Sequence, residues 1–138
     1  MIAIDIPANL LALRMLGPWI QSCLVYSEEQ TSDTLAPKLE LAIQEIGVNV
    51  VRHAYQNQAG HTLRVTYRFD DSSHQFTVID WGAPFDGSER PNVDPQNPTE
   101  GGYGLHIVES LCSDFSYSRL DDANHWTLTV ERSEAGTT

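Results

Sequence analysis

Glu45-Ile46-Gly47-Val48-Asn49-Val50-Val51-Arg52-His53, Asp80-Trp81-Gly82-Ala83-Pro84-Phe85-Asp86 and Gly101-Gly102-Tyr103-Gly104-Leu105 follow one another in this order, and reading them together decides the fold. In the first stretch Glu45, Asn49 and His53 recur every four residues, so a helix puts them on one face. Their neighbours Leu39, Leu41, Ala42, Ile43, Ile46, Val48, Val50, Val51 and Ala54 leave few positions for water. A carboxylate and an amide in such company cost free energy unless they find partners. The polar stripe of an ordinary amphipathic helix is one alternative. A metal site on Glu45 and His53 is another, though no further ligand is indicated.

Asp80 closes the apolar run Phe76-Thr77-Val78-Ile79. A carboxylate at a strand end can accept a hydrogen bond from an exocyclic amine, and Gly82, lacking Cβ, permits a flat ring to approach the backbone. Asp, Gly and Pro are also ordinary turn residues, so a simple turn is the competing reading. The glycines at 101, 102 and 104 open directly onto Leu105-His106-Ile107-Val108-Glu109-Ser110-Leu111, whose apolar spacing is helical. Glycines let successive N–H groups converge on an anion, and a helix start adds positive potential; a hinge before a core helix is the alternative. There is no Walker lysine and no dinucleotide fingerprint after the first strand.

Outward from these stretches, Met1 to Ile6 alternates as a short strand, and Asn9 is placed to cap the first helix. That helix is expected over 10–26, with a kink or break at Gly17-Pro18. A second begins near Leu35 to Pro37 and reaches about Tyr55, Pro37 being tolerated in the first turn. Leu63, Val65, Tyr67 and Phe69 share one face at period two, and Gln75 to Asp80 reads as the partner strand of a hairpin. Gly82 to Glu100 holds four prolines and two glycines and reads as a functional loop. A third helix from Gly104 to about Cys112 and strands over 115–120 and 126–131, with a turn at Asp121 to Asn124, complete the chain. The expectation is one α/β sandwich domain over 1–132, with two layers: a mixed, mostly antiparallel sheet carrying helices on one face, followed by a tail over 133–138.

Composition bounds the function. At 138 residues and 41% apolar content, one core forms without staples. Cys23 and Cys112 make no CxxC pair and read as buried, reduced thiols. The N-terminus lacks a signal-peptide pattern, and the apolar stretch Leu10 to Ile20 is interrupted by Arg14, Gly17 and Pro18, so a cytoplasmic protein with no membrane span is expected. A net charge of −11 argues against direct nucleic-acid binding. With only eight Lys and Arg, a nucleotide's phosphates would need backbone amides, a helix N-terminus and a divalent cation.

The ordered set resembles the N, G1 and G2 boxes of the GHKL (Bergerat-fold) ATPase superfamily, and the chain from 4 to 131 looks like its stand-alone anti-sigma factor serine/threonine kinases of the RsbW type. Ile6-Pro7-Ala8, His53-Ala54-Tyr55, Asp114-Phe115-Ser116-Tyr117 and Asn124-His125-Trp126-Thr127-Leu128 carry the resemblance beyond the boxes. It implies a Mg²⁺- and ATP-dependent kinase with Glu45 as general base, Asn49 as the Mg²⁺ ligand, Asp80 on the adenine amine with Gly82 beside the ring, and Gly102, Gly104 and Leu105 giving amides to the phosphates. Residues 87–100 would be the ATP lid. His53 is expected to hold the helix end and loop by hydrogen bonds. The implied partners are a STAS-domain anti-sigma factor antagonist, as substrate, and a sigma factor or other regulator, with Arg14 as a partner contact; a homodimer is left open. A nucleotide-regulated binding module that holds a partner without phosphorylating it is the alternative from another class.

Overall fold

A computed structural model describes residues 1–27, 35–85 and 108–132. The glycine stretch 101–105, the lid over 87–100, the polar segment after Ser27 and the tail over 133–138 lie outside the described residues.

The chain begins with β1 (Ile2–Pro7), passes through a 3-10 turn (Ala12–Met15) into α1 (Leu16–Tyr26), and continues as α2 (Leu35–Asn49) with a π-helical extension (Val50–Ala54). Strands β2 (Thr62–Phe69), β3 (Ser73–Asp80), β4 (Asp114–Leu120) and β5 (Ala123–Glu131) complete the order. Residues 108–111 are helical, and Val108 is buried in the core. The expected break at Gly17-Pro18 falls just before that pair: the 3-10 turn ends at Met15 and Pro18 sits in the first turn of α1, where no N–H is needed. Asn9 caps the turn, its side-chain oxygen accepting the Ala12 N–H at 2.8 Å.

The five strands run in the order β1-β2-β3-β5-β4, and all four pairings are antiparallel. The β2–β3 connection is closed by Asp70, whose carboxylate accepts the N–H groups of Ser72 and Ser73, each at 2.8 Å. Those bonds hold its carboxyl below the usual range. Between β4 and β5 the turn is tighter than the sequence suggested. Asp121 and Asp122 both take left-handed backbone, φ 52° and 61°, so Leu120 and Ala123 already pair and β5 starts three residues before Trp126.

Strand alternation sorts the side chains into two layers. Leu63, Val65 and Tyr67 of β2, Phe76 and Val78 of β3, and Trp126, Leu128 and Val130 of β5 face the helices and are buried. Against them pack Leu16, Ile20 and Leu24 of α1 and Leu39, Ile43 and Ile46 of α2. Gly47 lets the 3-10 turn close on α2, because a Cβ there would stand 2.7 Å from the Leu13 side chain. Phe69 ends the inward row half in water, 41% exposed. Cys23 and Cys112 are free thiols, and burial pushes them up to about 12 and about 11, which keeps both protonated at neutral pH.

Ile43→Ala is expected to remove about 2–5 kcal/mol of unfolding free energy in urea titrations, because its side chain is fully buried between α2 and the sheet. Leu41→Ala, on the exposed side of the same helix, should change it by less than about 0.5 kcal/mol. Equal effects would refute this orientation of α2.

Candidate functional site

Glu45 and Asn49 lie one turn apart on α2. Glu45 is half-buried, whereas Asn49 is only 7% exposed. The Asn49 carboxamide oxygen is buried and has no hydrogen-bond partner among the described residues. Such an acceptor normally costs free energy, so it is suited to an electrophile supplied from outside the chain. After Asn49 the helix loosens: the Tyr55 N–H reaches back five residues to the Val50 carbonyl at 3.0 Å, and the Asn57 N–H reaches the Val51 carbonyl at 2.8 Å. The four-residue row is thereby broken between Asn49 and His53. Both still line one narrow cleft, whose other walls are Ala54, Ala83, Pro84, Phe85 and Trp126, with Glu45 outside those walls.

Asp80 is the last residue of β3 and fully buried. Register places Asn124 directly opposite it and Trp126 opposite Val78, two residues before it. Asn124 Nδ2 donates to Asp80 Oδ1 at 2.8 Å, the Gly82 N–H donates to the same oxygen at 2.9 Å, and Trp126 Nε1–H donates to Oδ2 at 3.2 Å. Burial raises the Asp80 carboxyl above its ordinary range; the three donors and the nearby Arg119 charge pull the other way. A buried carboxylate held by N–H groups is an acceptor set in a fixed orientation.

The segment after Asp80 is bound to the end of the helix. The Ala83 N–H donates to the Ala54 carbonyl at 3.0 Å, and the Trp81 N–H donates to the Tyr55 hydroxyl at 2.8 Å. Tyr55 in turn donates to the Thr62 carbonyl at 2.7 Å, tying the start of β2 into the same corner. Its phenol is shifted upward by burial first, offset by the Trp81 N–H, and further by the Asp80 charge. Gly82 also meets a packing need: a Cβ there would overlap the Ala54 carbonyl oxygen and stand 2.6 Å from its carbon. Among the described residues the bonds that hold this segment to the helix end are made at Ala54 and Tyr55.

From the other side, β4 and β5 grip the same segment. The Phe85 N–H donates to the Tyr117 hydroxyl at 2.9 Å, Arg119 Nη1 donates to the Gly82 carbonyl at 3.0 Å, and Asn124 Nδ2 donates to the Ala83 carbonyl at 2.9 Å. In the sequence Tyr117 and Arg119 read as strand residues and Asn124 as part of a turn; Tyr117 and Asn124 also fall in stretches that carry the family resemblance, but none of the three is assigned to the site from sequence. Strand parity carried back from Leu128 and Trp126 to 124 would mark Asn124 as inward-facing.

The sequence-predicted residues therefore divide. Asn49 and His53 share a cleft with the segment that follows Asp80, Glu45 stands a turn away, and Gly102, Gly104 and Leu105 are outside the described residues. Arg14 is exposed at the end of the 3-10 turn, far along the chain from these groups. A wider groove of about 530 Å³ on the open face of the sheet, lined by Asp5, Arg64, Thr66, Thr77 and His125 among others, contains none of the box residues. Among the described residues no cluster of three metal-ligating side chains occurs. The buried Asn49 amide oxygen is chemically able to give one ligand to a hard cation such as Mg²⁺. No helix among the described residues is long and apolar enough to cross a membrane.

Residues 6–130 match the family model described as histidine kinase-like ATPase domain. The serine-protein kinase RsbW of Bacillus velezensis is 29% identical over 111 residues, covering 72% of this chain and 69% of that protein. RsbW of Bacillus subtilis is 24% identical over 126 residues, with 86% and 72% covered. The match to RsbW of Oceanobacillus iheyensis, 26% identical, spans 55% of this chain and about half, 53%, of that protein. A crystal structure of the RsbU and RsbW domains of a Mycobacterium tuberculosis protein superposes with a TM-score of 0.61 at 20% identity, over 96% of this chain and 33% of that one, a likeness of fold.

Gly82→Ala is expected to cost about 1–3 kcal/mol in urea unfolding, since the added methyl meets backbone that cannot step aside. A variant as stable as the parent would show that Ala54 does not constrain this position.

Proposed function

The chain belongs to the histidine kinase-like ATPase domain family, as a GHKL chain similar to the RsbW type, and from that premise we propose that it is a Mg²⁺- and ATP-dependent serine/threonine kinase acting as an anti-sigma factor. Its substrate is a Ser or Thr of a STAS-domain antagonist, and it sequesters a sigma factor or other regulator while that antagonist is phosphorylated. The observation that carries the reading is the buried Asn49 oxygen without a hydrogen-bond partner among the described residues, on the wall of a cleft closed by the segment after Asp80.

In this reading Asp80 accepts the adenine amine through a carboxylate already oriented by three donors. Asn49 would hold Mg²⁺ through its amide oxygen, and the ion would supply positive charge toward the phosphates that this acidic chain has few cations to meet. Glu45, half-buried one turn earlier, takes the proton of the substrate hydroxyl as its oxygen bonds to the γ-phosphorus and the bond to the departing ADP oxygen breaks. The glycines at 102 and 104, with Leu105, supply backbone amides to the phosphates. A partner surface is supported around Arg14, where Leu10, Leu11 and Met15 are 46%, 71% and 55% exposed on one short stretch. A cytoplasmic setting accords with this function.

Labelled γ-phosphate from Mg-ATP should pass to Ser or Thr of a STAS-domain protein from the same genome. Glu45→Ala should retain ATP binding and lower transfer by about a hundredfold or more, the scale of general-base catalysis. Transfer undiminished in that variant excludes Glu45 as the base, and tight ATP binding without transfer to any STAS candidate replaces the kinase with a nucleotide-gated binding module. Asp80→Asn should weaken ATP binding in calorimetry by about tenfold or more while the protein stays folded, and unchanged affinity would remove Asp80 from the base site.

A further inference from the structure

The Asn124 side chain is fully buried and uses all of its hydrogen-bonding capacity. Its two N–H bonds go to Asp80 Oδ1 at 2.8 Å and to the Ala83 carbonyl at 2.9 Å. Its oxygen accepts the Tyr117 hydroxyl and, at 3.0 Å, Arg119 Nη1. Arg has no acceptor, so the amide cannot be turned over without opposing donor to donor, and its orientation is forced. Tyr117 accepts the Phe85 N–H at 2.9 Å while donating to Asn124, and Arg119 also reaches the Gly82 carbonyl at 3.0 Å. Three side chains of the β4–β5 hairpin thus hold Asp80, Gly82, Ala83 and Phe85 at once.

These bonds also count out the acceptor positions of Asp80. A carboxylate offers about four lone-pair sites, two on each oxygen. Among the described residues Gly82 and Asn124 fill both on Oδ1 and Trp126, itself a wall of the cleft, fills one on Oδ2, which leaves a single acceptor position on that oxygen.

We propose that Asn124 is a positioning residue for base selection: backed by Tyr117 and Arg119, it fixes the Asp80 carboxylate so that one remaining acceptor position discriminates for a purine with an exocyclic amine and against one with a carbonyl in its place. The role rests on the reading of Asp80 as the group that meets the base. A carboxylate released from this grip rotates, turns other lone pairs outward, and loses selectivity before it loses attraction for the triphosphate.

The test compares Mg-ATP with Mg-inosine triphosphate, in which a ring carbonyl replaces the amine, by calorimetry on the full chain. The parent should prefer ATP by about ten- to a hundredfold, the range expected when a buried acceptor is left facing a carbonyl. Asn124→Leu, which keeps the branching at Cγ and removes every bond, should bring the ratio toward one. Tyr117→Phe, which removes only the hydroxyl, should lower the ratio in the same direction and supplies the answer if Asn124→Leu does not fold. Folded variants that keep the parent's ratio overturn the role of Asn124 and leave the reading of Asp80 standing. A parent that binds both nucleotides equally overturns the reading of Asp80 and the role of Asn124 with it.

Discussion

Everything on the β3 side of the cleft depends on the need to satisfy one carboxylate buried at the end of a strand. An ionised Asp80 without donors would cost more than a domain of this size can spare. The donors come from across the sheet, because Asn124 stands directly opposite Asp80 in the β3–β5 register and Trp126 lies two residues along on the same inward row. A slip of one residue would turn Asn124 and Trp126 to the open face and leave the charge unmet. The pair therefore selects register as well as accommodating it, and the left-handed turn at Asp121-Asp122 is what brings Asn124 to that place.

From this anchor the constraint spreads into the helical layer. Asp80 holds the Gly82 N–H, Gly82 lies on the Ala54 backbone, and Tyr55 closes the corner between the helix end, Trp81 and the start of β2. Segments distant in sequence become one body by backbone hydrogen bonds and a missing methyl. For an acidic chain this economy has a purpose: neutral N–H groups and oriented dipoles organise the site where few Lys or Arg are at hand.

Much of this was legible in the residues. Period-two alternation located β2 and β3 to within a residue or two, and the four-residue spacing of Glu45 and Asn49 placed them one turn apart on α2. Three things were not legible, each for a physical reason. Asn124 comes soon after two aspartates and reads as turn, because nothing local announces that both Asp121 and Asp122 adopt positive φ and return the chain to strand at Ala123. Gly82 signals a close approach but not who approaches, since only tertiary contact names Ala54. The residues from 50 to 54 have ordinary helical composition, and their wider hydrogen bonding is imposed by the corner at Tyr55 rather than by propensity.

That wider turn carries one more residue than an α-helical turn would over the same rise. The end of α2 is accordingly a segment whose length, rather than whose composition, sets the geometry. Removing a single residue between Val50 and Ala54 would restore tight winding, rotate Ala54 and Tyr55 about the axis, and unseat Gly82 and Trp81 together. A change in residue count here should therefore disturb the corner more than a conservative exchange of side chains that keeps Val50 and Val51 apolar.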